Sequence, residues 1–97
     1  MTVSWIPGRL TLVGDIGAVS RADGLAAAVE ALRSADGELL IDCARVTSID
    51  PSGVAFLVGL ARFAIERGVR ARLLDPPRQV RTHIRRAGAQ PLFEWES

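Results

Sequence analysis

Residues 38–43, "ELLIDC", form a continuous apolar run bounded by acids, and "PSGVAFLVGLARFAIERG" follows at 51–68. An apolar run without alternation is the pattern of a strand buried in a parallel sheet. The longer segment is apolar at helical spacing and stops at Gly68, so it predicts a helix. A strand followed by a crossover helix requires a parallel neighbour to return to. "VRARLLD" (69–75) provides one, with Val69, Ala71 and Leu73 alternating against Arg70, Arg72 and Leu74.

The remaining elements extend this pattern. "RLTLVG" (9–14) reads as a strand whose two faces can both be covered, and "TVSWI" (2–6) as an earlier one. Pro7-Gly8 between them predicts an antiparallel hairpin. "SRADGLAAAVEALRSADG" (20–37) predicts a helix opened by a Ser20/Asp23 capping pair, with Leu25, Ala28, Val29 and Leu32 on one face. "DPPRQVRTHIRRAG" (75–88) predicts a third helix, with Asp75 as N-cap, Pro76 at the first helical position and Gly88 at the stop. "PLFEWES" predicts a short last strand. The fold class is therefore α/β: one domain over 1–97, with a mixed, mostly parallel sheet of about five strands flanked by helices.

Composition narrows the function. Hydrophobic residues make up 48% of the chain, enough for a core at this length, and the formal net charge is only +1. That balance gives no nucleic-acid or acidic-membrane signal. No apolar segment approaches the ~20 residues a membrane helix needs, and the N-terminus lacks the pattern of a signal peptide. The one cysteine, Cys43, has no disulfide partner and reads as a small buried hydrophobe, in keeping with a cytoplasmic setting.

A catalytic constellation is not found. Ser52 is not in a G-x-S-x-G elbow, because Asp50 stands where the first glycine would be. His83, the one histidine, reads as an edge packing residue. One Cys and one His do not make a zinc site, and there is no phosphate-binding G-x-x-x-x-G-K-[ST] loop, so no metal or cofactor is expected. Arg78, Arg81, Arg85 and Arg86 read as a solvated basic face.

The informative stretch is "DPSGV" at 50–54. Asp50 is the expected N-cap and Pro51 the first helical residue. Ser52 then lies in the first turn, where backbone N–H groups and the dipole favour an anion. Gly53 would let another molecule approach the backbone closely. This arrangement can be a plain helix start or a contact site. Farther along, Val54, Leu57, Val58, Ala61, Ala64 and Ile65 form one face, extended by Phe56, Leu60 and Phe63. So wide an apolar arc fits burial under a neighbouring helix, or docking of a partner by one of the aromatic residues.

"LTLVGDIG", the following helix and "LLIDCARVTSIDPSGV" together resemble the STAS domain, found in anti-sigma factor antagonists and in the tails of sulfate transporters. The likeness runs over positions 9 to 95. Its most specific part is the strand, loop and "D-[ST]-[ST]-G-[LVI]" helix start. The resemblance implies a regulator that works by protein–protein contact, not catalysis. The implied partner is an anti-sigma factor with serine kinase activity, and the implied contact residues are Asp15, Ile16, Gly17, Asp50, Pro51, Ser52, Gly53, Val54 and Phe56. The family's phosphate acceptor directly follows the motif aspartate. Here that position is Pro51, so Ser52 is the phosphorylation candidate by a one-residue shift, or the protein binds without such a cycle. In "GDIG", Gly17 replaces a second acid common in the family. A second reading also follows from the resemblance: an accessory subunit of a lipid-transporting ABC system, docked on its ATPase. Oligomeric state is not legible in the sequence.

Overall fold

The structure, a computed structural model, describes residues 2–17 and 21–95, with side chains described for 2–17 and 24–95. Strands β1 (Thr2–Ile6) and β2 (Arg9–Ile16) form the expected antiparallel hairpin around Pro7-Gly8. Helix α1 (Arg21–Arg33) leads to β3 (Glu38–Ile49), α2 (Pro51–Glu66) to β4 (Arg70–Leu74), and α3 (Arg78–Arg86) to β5 (Phe93–Glu94) through a 3-10 turn at Gln90–Leu92. The strands lie in sequence order, β1-β2-β3-β4-β5, and every neighbour pair after the hairpin is parallel. The expected Ser20/Asp23 capping pair lies outside the described side chains.

The sheet is covered on one face. Leu10 and Leu12, Leu39, Ile41 and Cys43, and Ala71 and Leu73 are fully or almost fully buried, and the register places them on the same side. There they meet Ala28, Ala31 and Leu32 of α1, Leu57, Ala61 and Ala64 of α2, and Val80 and Ile84 of α3 in one core. The opposite face carries Thr11, Val13, Leu40 and Leu74, all only partly buried. The expectation of two covered faces for β2 is thus corrected: each helix returns to the next strand in order, and all three pack on one side.

Four local expectations also change. β3 does not end at Cys43 but runs to Ile49. Relative to β2 it carries one extra residue at each of two register shifts, between Thr11 and Val13 and between Gly14 and Asp15. Bulges of this kind break the alternation that a sequence reading depends on. α3 starts at Arg78 with Pro77 as a cap that makes no side-chain bond, and Asp75 instead takes a left-handed conformation (φ 50°). A residue preceding proline is driven from helical geometry, so Asp75-Pro76-Pro77 delays the helix. On α1 the inward stripe is Gly24, Ala28, Ala31 and Leu32, which leaves Leu25 56% exposed. On α2, Ile65 is 51% exposed. The stop signals at Gly68 and Gly88 hold, both at positive φ just beyond their helices.

Candidate functional site

The end of β2 and the start of α2 meet at one corner. Asp50 caps α2, its Oδ1 accepting from the Gly53 N–H at 2.9 Å, with Pro51 at the first helical position. The Asp50 N–H donates to the Ile16 carbonyl at 3.2 Å. Gly53 packs on that same carbonyl: a Cβ at Gly53 would lie 2.3 Å from it. A Cβ at Gly17 would come to 2.8 Å from Asp50 Oδ2. Gly53 is therefore needed for the chain's own close approach, backbone against backbone, whereas at Gly17 the near atom is the end of the Asp50 side chain, which can shift. The reading of Gly53 as an opening for another molecule is corrected: Ile16 occupies that space.

Ser48 Oγ donates to Asp15 Oδ1 at 2.6 Å, holding the Asp15 carboxylate at the rim. The register pairs Asp15 with Ser48 because Thr47 is the extra residue at the second bulge. The Thr47 carbonyl accepts from Gln79 Nε2, which ties α3 to the same corner. Sequence reading missed Ser48 and Gln79. The only signal for Ser48 was its place two residues before the cap.

The expected contact residues divide into two groups. Ile16, Gly53, Val54 and Phe56 are buried; Ile16 and Gly53 close the corner, while Phe56, at only 5% exposure, faces α1. Asp15 and Pro51 are exposed, and Gly17, Asp50 and Ser52 partly so. Among the described residues the Ser52 side chain makes no hydrogen bond. Pro51 has no N–H, and the Gly53 N–H is taken by Asp50, so of the first three helical residues only Ser52 presents an open backbone donor among the described residues. The Asp50 carboxylate already sits at the positive helix end. That arrangement leaves less room for a bound anion than the sequence implied.

Two grooves flank α2. One, of about 410 Å³, lies between α1 and α2 and is lined by Leu25, Val29, Phe56, Leu60 and Phe63, with Gly59 as an open gap. Its exposed apolar side chains are Leu25 and Phe63, the latter at 40%. The other, of about 430 Å³, runs from Pro51, Val54 and Val58 to Ala89 and Leu92. Cys43 lies apart from both. Burial first, and the neighbouring Asp42 charge second, push its thiol up to about 12, so it is no nucleophile. Among the described residues no cluster of metal-ligating side chains occurs, and no helix is long and apolar enough to cross a membrane.

The family model described as "Mlab, STAS domain" matches residues 4–94. The chain belongs to the STAS family. Its fold is shared by the anti-sigma factor antagonist SpoIIAA in its unphosphorylated form, at 20% identity and a TM-score of 0.75, over 99% of this chain and 87% of that one. A candidate anti-sigma factor antagonist from Thermotoga maritima aligns at 11% identity and a TM-score of 0.77, covering 99% and 86%. No curated protein matches the chain. In this STAS domain the "DPSG" segment is the junction of β3 with α2, stitched to the end of β2.

Proposed function

We infer that residues 1–97 act as one STAS domain of the anti-sigma factor antagonist kind, a cytoplasmic regulator that controls transcription by binding an anti-sigma factor with serine kinase activity. The contact surface is Asp15, Gly17, Asp50, Pro51 and Ser52, with Ile16 and Gly53 closing the corner beneath it and Val54 and Phe56 buried farther along the same helix. The observation that carries this reading is Ser52, whose hydroxyl lies in the first turn of α2, partly exposed and without an internal partner among the described residues. A phosphate there adds about 1.5–2 negative charges at a helix start already capped by the Asp50 carboxylate, which opposes docking of any surface matched to the unmodified corner.

Affinity capture from the native host, with mass spectrometry of the partner and of this chain, tests the reading. Recovery of a kinase-type anti-sigma factor, tight binding by Ser52→Ala and binding weakened about tenfold or more by Ser52→Glu support it. A second reading rests on Pro51, which has no hydroxyl at the position where the family resemblance places the phosphate. It makes the domain a constitutive accessory subunit of a lipid-transporting ABC system. Capture of an ABC ATPase, with Ser52→Glu binding as tightly as the native chain, would establish that reading instead.

A further inference from the structure

The two edges of the sheet are built differently. β5 is two residues long, a length that offers little to a passing strand. β1 has five residues, "TVSWI", with no charge, no internal proline and an unbroken register against β2. Natural edge strands of this length are usually protected by charge, bulges or a covering element. Here Trp5 is 42% and Ile6 60% exposed.

The turn sets the phase of the free backbone groups. Ile6 and Arg9 close the Pro7-Gly8 turn, with Gly8 at φ 72°, so their backbone groups point at each other. Opposed pairs alternate along an antiparallel ladder. Thr2, Ser4 and Ile6 therefore bond β2, whereas Val3 and Trp5 turn their N–H and C=O groups outward. No hydrogen bond among the described residues uses those outward groups.

We propose that β1 pairs antiparallel with β1 of a second copy of this chain, about a twofold axis through Ser4, joining two sheets into one. In this register Val3 lies opposite the partner's Trp5 and Trp5 opposite the partner's Val3. These are the residues with outward backbone groups, so each pair exchanges two hydrogen bonds. The same pairing sets an aromatic ring beside a β-branched side chain on the helix-covered face, a favourable cross-strand combination. On the open face Thr2 lies beside the partner's Ile6, and Ser4 faces its own copy. An uncharged strand meets itself without like-charge repulsion. A self-pairing patch also makes a closed twofold interface, not a growing filament. A foreign extended peptide could use the hydrogen bonds, but nothing on β1 selects one, whereas its own sequence matches in both phase and side chains.

Sedimentation velocity from about 1 to 500 µM, a range bracketing weak to moderate affinity, gives the first readout. The chain should pass from monomer to dimer. Ser4→Lys puts two cations across the axis and should weaken dimerisation by about tenfold or more, while circular dichroism confirms an unchanged fold. The second readout is disulfide capture. Opposed Cα atoms at a non-hydrogen-bonded pair are about 4.5 Å apart, within the range of a disulfide. Ser4→Cys should cross-link to its own copy, and Ile6→Cys should not, because its own copy lies four residues along the strand. Cys43 is buried and does not compete. A native chain that stays monomeric over the whole range, or equal cross-linking by Ser4→Cys and Ile6→Cys, overturns the proposal.

Discussion

Two glycines of α2 show how one residue type serves opposite needs. At Gly53 an added Cβ would meet the Ile16 carbonyl at 2.3 Å, backbone against backbone, with no flexible side chain to yield. At Gly59 nothing lies within 4 Å. Gly53→Ala should therefore cost about 1–3 kcal/mol through overpacking. Gly59→Ala should add about 0.5–1 kcal/mol, because alanine loses less backbone entropy in a helix. Urea unfolding of both variants checks the pair, and equal midpoints would refute the account. Ser52 was legible in the sequence as a group in the first turn of a helix, and Asp15 only through the family resemblance, as a contact residue after the second strand. The support from Ser48 was not, since it depends on a bulge that re-aims the side chain across 33 residues of chain.

At the scale of elements, the β2–β3 pairing carries a titratable link. Asp42 accepts from the Ala44 N–H at 3.0 Å and pairs with Arg9 at 2.9 Å. The Ala44 hydrogen bond lowers its pKa most; burial opposes this, and Arg9 adds to the lowering. A carboxylate with a depressed folded-state pKa stabilises the fold above its unfolded value of 3.8. That contribution is lost as pH falls through the lower folded value. Asp42→Asn should accordingly be less stable than the native chain near neutral pH. The gap between the two should close on acidification between about pH 5 and pH 2. A gap that is constant with pH would remove the ionised Asp42 from the stability of this pairing. The helices divide similarly between what is local and what is not. The Asp50-Pro51 start and the Gly68 and Gly88 stops are written within a few residues of each end. The late start of α3 is also local: Pro77 keeps Pro76 from helical geometry as Pro76 keeps Asp75, so the first helical residue is Arg78.

For the whole molecule, a single core beneath one face of the sheet predicts a single cooperative transition. Cys43 reports on it, being fully buried with its thiol raised to about 12. Alkylation at pH 8 should be slowed by about a thousandfold or more in the native protein, since the unfolded fraction is roughly 10⁻³ or less. It should become fast through the urea transition, in step with loss of circular dichroism. Rapid labelling without urea would mean that the β3 core opens locally.

Element order, the antiparallel hairpin, the parallel returns and the capped start of α2 were determined by the sequence itself, because each depends on residues adjacent along the chain. The tertiary structure alone decided which face of the sheet is covered, where β3 bulges and why Gly53 must be glycine. It also buried Phe56 and left Phe63 in the open groove. These features depend on partners far apart in the chain: Ile16 against Gly53, Asp15 against Ser48, Thr47 against Gln79. A pattern of residue types marks a position as apolar or polar, but the close approach of two backbones is set only when the sheet register and the helix packing are satisfied together.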